Sequence, residues 1–238
     1  MSFKRFRFSY KETAVTILAE DESFFETAVK AILRARNEIE VYVKLNPYFL
    51  ISYEPIGCRN CRIGGIVEEM CKAARLANVG PMASVAGAIA QFAVDKMVES
   101  GAKIAVIDNG GDIAIHSDRE LRIGIYPSKI ALLIPPSDRI AVCTSSGKIG
   151  PSVSFGLADS ATVIAENAAI ADAFATALGN QIRDFGKEEL ENCVAEFYSK
   201  NRNYIKALLV VKDDLIAFAG KVPEILPAEF DEDLITRV

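Results

Sequence analysis

Lys103-Ile-Ala-Val-Ile-Asp-Asn-Gly-Gly-Asp-Ile-Ala-Ile115 opens a block of short strands in the middle of the chain. Two apolar runs, residues 103–107 and 112–115, flank Asn109-Gly110-Gly111-Asp112, and an Asn-Gly step between such runs favours a tight hairpin turn. The paired glycines also permit φ above zero and expose backbone N–H groups, so the turn is a candidate anion cradle as well. The hairpin reading is favoured. Residues 121–126, 130–134 and 140–143 continue the strand pattern, punctuated by Pro127 and Pro135-Pro136. Helices flank this block and do not alternate strictly with its strands. That grouping predicts an α+β fold with a mixed or antiparallel sheet and packed helices, not a doubly wound sheet.

Upstream, residues 3–10 and 13–19 read as two strands joined by Lys11-Glu12. Phe25, Ala28, Val29, Ile32, Ala35 and Ile39 mark a long amphipathic helix with Asp21 and Glu22 in its first turn. After a loop with Pro47, Pro55 and Gly57, an apolar stripe from Ile63 through Ile66, Val67, Met70, Cys71 and Ala74 to Ala77 predicts a second helix. Gly80-Pro81 opens a third, residues 82–100. Its first half (Ala83, Ser84, Ala86, Gly87, Ala88, Ala90) is small enough to admit another backbone or a ligand, and Ser84, Gln91 and Asp95 form a sparse polar stripe. Downstream come a strand at 162–165, a helix ending at Gly179-Asn180, an amphipathic helix at 187–199 and a hairpin around Asp213-Asp214. No linker, low-complexity tract or repeat interrupts the chain, so one domain over 1–238 is expected, its last dozen residues loosely held.

With 238 residues the chain can bury a full core, and its 50% hydrophobic and 25% charged content is that of a soluble globular protein. A net charge of −5 argues against nucleic acid as a partner, which would need clustered excess Lys and Arg. The short basic run Lys4-Arg-Phe-Arg7 alternates as a half-solvated strand does. The N-terminus lacks a signal peptide's apolar core, and no window reaches the roughly 20 apolar residues of a membrane span. A cytoplasmic setting away from membranes is expected. With five Cys and no export signal, free thiols are expected over a disulfide framework. Cys58-Arg-Asn-Cys61 has redox or half-zinc spacing but lacks a second such pair and reads as incidental, while Cys71 and Cys143 read as core residues. His116, the only histidine, rules out sites that need two and reads as a surface or turn residue.

Ala168-Ala-Ile-Ala-Asp-Ala-Phe-Ala-Thr-Ala-Leu178 reads as a helix buried all round, and Asp172 and Thr176 are its only polar side chains. Spaced i and i+4, they stack on one face. Two readings stand level: a carboxylate capping N–H groups inside the core, or oxygen ligands for a hard cation such as Mg²⁺. Cys143-Thr-Ser-Ser-Gly-Lys-Ile-Gly150 is a loop rich in hydroxyls and glycine that lacks the Walker A pattern. Contact of Thr144, Ser145, Ser146 and Lys148 with an anionic ligand and a plain solvated loop are both open there. Gly156-Leu-Ala-Asp159 carries a further carboxylate.

In order, four segments resemble the ApbE family of flavin transferases: Gly80-Pro-Met-Ala-Ser-Val-Ala-Gly87, Val106-Ile-Asp-Asn-Gly-Gly-Asp-Ile113, Val142-Cys-Thr-Ser-Ser-Gly147 and Ala171-Asp-Ala-Phe-Ala-Thr-Ala177. The similarity spans about residues 75–180, and the chain looks most like a small cytosolic group of archaea and some anaerobes. The resemblance implies an ApbE-like α+β fold with Mg²⁺ held by the Ala83 carbonyl, Asp172 and Thr176. It implies FAD, FMN or a nucleotide as ligand, since the family splits FAD and passes FMN to a Thr hydroxyl of a partner protein. Asn109, Gly110, Gly111 and Asp112, with Thr144, Ser145, Ser146 and Lys148, would face that ligand. The chain departs from the pattern at Gly80, where the family usually has an acid, and at Ala86, where it usually has a charged residue. Ser152-Val-Ser-Phe-Gly-Leu-Ala-Asp159 replaces the family's His-x-x-Asp-Pro. These departures favour metal retention over flavin transfer and leave no catalytic base to name. The alternative is a non-catalytic factor in anaerobic metabolism, with sulfur assimilation as one setting.

Overall fold

The computed structural model describes residues 3–58, 61–126, 128–146 and 156–229. Two strands, β1 (Lys4–Tyr10) and β2 (Thr13–Ala19), lead into the long helix α1 (Ser23–Leu45), a single-turn α2 (Tyr48–Ile51) and α3 (Ile66–Ala77). A 3-10 turn (Pro81–Ser84) runs straight into α4 (Val85–Glu99). Five strands follow: β3 (Ile104–Asn109), β4 (Asp112–Ser117), β5 (Leu121–Ile125), β6 (Ile130–Ile134) and β7 (Ser137–Ser145). After β8 (Ser160–Ala165) come α5 (Ala168–Gly179), α6 (Lys187–Asn201), β9 (Ala207–Lys212), β10 (Leu215–Gly220) and β11 (Glu224–Pro227).

Eight strands form one sheet in the order β1-β2-β3-β4-β7-β8-β9-β10, each pair antiparallel. The excursion β5–β6 leaves that sheet and makes a second one, β11-β6-β5, also antiparallel. The period-2 pattern of the central strands explains the layering. Along β3, Ala105 and Ile107 enter one core while Ile104 and Val106 enter another. Along β7, Ala141 and Cys143 alternate in the same way with Ile140 and Val142. The first core lies under the helices. The second is closed by the small sheet through Leu121, Ile123, Ile125, Leu132 and Ile134. Buried on both faces, the central strands have room for few polar side chains. The α+β fold and its antiparallel sheet are as expected.

On the helical side, α4 packs on β3 and β4, and α5 on β7 and β8, with α1 and α3 outside them. α4 and α5 cross closely at Gly87, where an added Cβ would overlap the Ala168 carbonyl and come 2.8 Å from Asp172 Cβ. At the β3–β4 turn, Gly110 and Gly111 have φ of 70° and 101°, the paired positive values of a two-residue hairpin. Among the described residues no single helix is long and apolar enough to cross a membrane.

Three expectations need correction, and two short elements carry no readable pattern. Ile63 is 90% exposed and outside α3, because Gly64 takes a left-handed φ of 69° and Gly65 ends the loop. The apolar spacing runs on past the point where the backbone can follow. The third helix starts at Val85, since Pro81–Ser84 winds more tightly as a 3-10 turn. The short strand β11, which gains its partner only from the distant β6, and the single-turn α2 have no periodicity long enough to read. Finally, Cys58 is disulfide-bonded to Cys71, with Cα atoms 6.2 Å apart, leaving Cys61, Cys143 and Cys193 as free thiols.

Thiol titration of the denatured, unreduced protein should therefore find three reactive groups, and a count of five would contradict the bridge. Reducing the bridge should cost about 3 kcal/mol of stability for a loop of this length, read by urea unfolding with and without reductant. Gly87→Ala should destabilise the protein by about 1–3 kcal/mol, although Ala is the better helix former, because the clash is with backbone.

Candidate functional site

The pleat of the large sheet positions the first half of the site. Asn109 and Asp112 face each other across the β3–β4 turn, and Asp112 is also the register partner of Cys143 on β7. Ala114 and Cys143 point into the helix-side core, so Asp112, two residues before Ala114, presents its carboxyl to the helices too. Asn109 Nδ2 donates to the Ala86 carbonyl at 3.0 Å, tying the turn to the start of α4. Gly111 N–H donates to Asp108 Oδ1 at 2.9 Å and Thr144 N–H donates to the Gly111 carbonyl at 3.2 Å. The hairpin reading of this segment holds.

The second half comes from α5. Its Ala-rich sequence favours helix intrinsically and keeps the cylinder thin enough to be packed on every side. Asn167 caps it through Ile170 N–H at 3.1 Å, and Gln91 Oε1 takes Ala168 N–H at 3.0 Å. Gln91 in turn donates to Asp95, which also accepts from Arg139 at 3.1 Å, so the polar stripe of α4 is fully engaged. Asp172 sits in the second turn of α5 and is 8% exposed. Its Oδ2 accepts from Gly87 N–H at 2.9 Å, and the neighbouring Ala86 N–H also favours the carboxylate. Those are orphan donors of α4's first turn. Ser84, the cap residue of α4, leaves them unserved because its hydroxyl donates to the Pro81 carbonyl at 2.8 Å. The buried-cap reading of Asp172 is thus realised, with the capped helix being α4.

Capping does not settle the charge. Burial pushes the Asp172 carboxyl up to about 7, against the lowering effect of the Gly87 and Ala86 N–H groups. Burial, with repulsion from Asp172 and Asp108, holds Asp112 well above the usual carboxylate range. Burial beside these two acids likewise raises the Cys143 thiol, which donates to the Ala168 carbonyl at 3.4 Å. Among the described residues no Lys, Arg or His forms an ion pair with Asp112 or Asp172. Two acids, Asp172 buried and Asp112 half-buried with its Oδ1 sealed from solvent, therefore repel each other with no cationic partner among the described residues.

Thr176 lies one turn beyond Asp172 and is half-buried, and Ala83 lies in the 3-10 turn, which packs on α5. Among the described residues no three His, Cys, Asp or Glu side chains converge on one metal position. A cation here would rely on one carboxylate, a hydroxyl and a backbone carbonyl, a hard oxygen set. Thr144 is drawn away: its hydroxyl pairs with that of Thr162 at 2.9 Å, bracing β7 against β8. Ser145 ends β7, whereas Lys148 falls outside the described residues. Asp159 accepts from Asp213 N–H in the β9–β10 turn. His116, on β4, has Nδ1 2.8 Å from the Asp138 carbonyl, away from the site. Cys143 was missed as a site neighbour; its signal is the alternation that sets it beside Asp112. A cavity of about 890 Å³ opens elsewhere, between the starts of α3 and α5 beside Gln91, Arg139 and Lys206.

A family profile described as "AbpE bacteria" matches residues 1–215. A UPF0280 protein of Archaeoglobus fulgidus is 62% identical over 98% of this chain and 99% of its own length. One from Methanosarcina acetivorans is 42% identical over 97% of this chain and 92% of its own. Among solved structures, the flavin transferase ApbE of Vibrio cholerae superposes with a TM-score of 0.59 at 14% identity, covering 92% of this chain and 96% of that one. The ApbE protein of Thermotoga maritima gives 0.52 at 14% identity over the full length of both. At such identities the likeness is one of fold, but profile and relatives extend over nearly the whole sequence: this chain belongs to the ApbE-like family, within its UPF0280 group of archaeal relatives.

Proposed function

We propose that this protein binds Mg²⁺ through Asp172, Thr176 and the Ala83 carbonyl and uses it to hold a small anionic ligand of flavin or nucleotide type. The observation that carries the reading is the acid pair of buried Asp172 and half-buried Asp112, whose Oδ1 is sealed from solvent, with no cationic partner for either among the described residues. A carboxylate in such surroundings is costly unless neutralised, and the donors beside it are the hard oxygens that Mg²⁺ selects. Bound there, the cation would offset negative charge on a phosphate or pyrophosphate. Asp172 orients the site by fixing α4 to α5, and Asn109 holds the glycine turn against α4. The Asn109–Asp112 turn, with Ser145 at the end of β7, would form the ligand side. A cytoplasmic location belongs to the same reading and is checked by fractionation of the source cells.

One specific observation supports a second reading. Asp172 already satisfies the Gly87 N–H of α4, a structural task sufficient to retain it in a non-catalytic member of the fold. Titrating Mg²⁺ with FAD, FMN and ADP separates the two. The proposal expects a Mg²⁺-dependent rise in melting temperature that each productive ligand increases, and a drop in Mg²⁺ affinity of at least about tenfold in Asp172→Ala. Wild-type protein indifferent to Mg²⁺ would sink it, and binding without ligand cleavage would favour the non-catalytic reading.

The acid pair also sets a pH dependence. Asp172 has a folded pKa of about 7, above its ordinary value of 3.8, so folding takes up a proton. Its contribution to stability is complete below the unfolded value and is lost as pH rises through about 7. The metal-free protein should thus lose melting temperature between pH 5 and 8, more steeply than Asp172→Asn. Mg²⁺ selects the ionised carboxylate, so its stabilising shift should grow over the same interval. A shift independent of pH would contradict this.

A further inference from the structure

Asp112 is the acid that Asp172, Thr176 and Ala83 leave over. Its Oδ1 is sealed from solvent and has no hydrogen-bond partner. The pleat turns it towards the helix layer, where Asp172 repels it, while Asp108 repels it from its own hairpin. Cys143 and the Thr144 N–H offset this only in part, and no cationic side chain among the described residues pairs with the carboxyl. An orphaned carboxylate oxygen in a core costs more than a neutral group of the same shape, so its retention calls for an occupant of the space it faces. Two carboxylates from different elements, both unpaired with Lys or Arg, leave a divalent cation as the group that would neutralise both at once.

We infer that Asp112 is a further ligand of the cation site, its Oδ1 joining Asp172 so that one divalent ion bridges the β3–β4 hairpin and helix α5. The inference rests on the Mg²⁺ reading above and deepens it. A set with two carboxylates carries two negative charges and makes a divalent ion the neutral fit. A set with Asp172 alone would leave that ion with an excess charge and Asp112 without compensation. The bridge also gives the glycine turn a fixed position relative to the cation. Asp112 would then be a metal ligand, and the ligand-facing role expected of it would fall to Asn109, Gly110 and Gly111.

The test uses Mn²⁺ as a paramagnetic stand-in, with free ion counted by electron paramagnetic resonance on the full chain after chelator treatment. Wild type, Asp112→Asn and Asp172→Asn are compared, each with its metal-free melting temperature. Asn copies a protonated carboxyl in shape but is a far poorer ligand. The inference expects both variants to lose about tenfold or more in Mn²⁺ affinity. It also expects metal-free Asp112→Asn to melt no lower than wild type, because a buried repulsion is removed. Unchanged Mn²⁺ affinity in Asp112→Asn, with loss in Asp172→Asn, overturns the inference and leaves the Asp172 site standing. No Mn²⁺ binding by wild type overturns both. If Asp112→Asn does not fold, the Mg²⁺-induced infrared difference spectrum of wild type decides. A shift of two carboxylates supports the bridge and a shift of one refutes it.

Discussion

The Asp172 carboxylate on the first N–H groups of α4 is the contact that the helical layer depends on. α4 begins where a 3-10 turn ends, and its own cap residue has spent its hydroxyl on that turn. Without help from outside, its leading donors would be buried and unpaired, a cost of about 1–3 kcal/mol each. Asp172 supplies the acceptor, and Gly87 allows it to come close enough to do so. Once that contact is made, α5 is locked against α4, Gln91 can cap α5 in return, and Asn109 can reach the Ala86 carbonyl. Capping runs in both directions between the two helices, so each fixes where the other starts.

Opposing effects on Asp172 show what this arrangement costs. Two N–H donors favour the carboxylate, and alone they would hold it below its ordinary 3.8. Burial wins, and the group rises to about 7. The same contact that organises the helices therefore stores an electrostatic demand, which Asp112 enlarges from the sheet side. The electrostatic demand arises here from how the scaffold is held together, and not from side chains added to a finished fold.

Much of this was legible in the chain. Strand blocks and the glycine turn announced an antiparallel α+β sheet, and Asp172 stood out because the rest of its helix is apolar. What it touches was not legible, since Gly87 is 85 residues upstream and is itself silent as a side chain. Asp112 looked like a turn residue. Only the pairing with Cys143 shows that it faces the helices, and strand pairing is a long-range property. Thr144 was misleading for a related reason: a hydroxyl in a glycine-rich segment suits a ligand and a neighbouring strand equally well, and Thr162 lies far along the sequence. Cys58 and Cys71 are joined because a loop folds back on α3, which spacing alone does not reveal.

The small sheet has a bearing on how the chain reaches this state. β5 and β6 form a local hairpin, but the free edge of β6 is covered only by β11, which is translated after β7, β8, α5, α6, β9 and β10. During synthesis on the ribosome that edge, with Leu132 and Ile134 beneath it, stays available to any other extended segment. Closing so distant a pair is slow because the intervening loop must be ordered first. The protein's window of exposure to misassembly is consequently set by its last described strand, far from the helices that complete their mutual caps much earlier in the sequence.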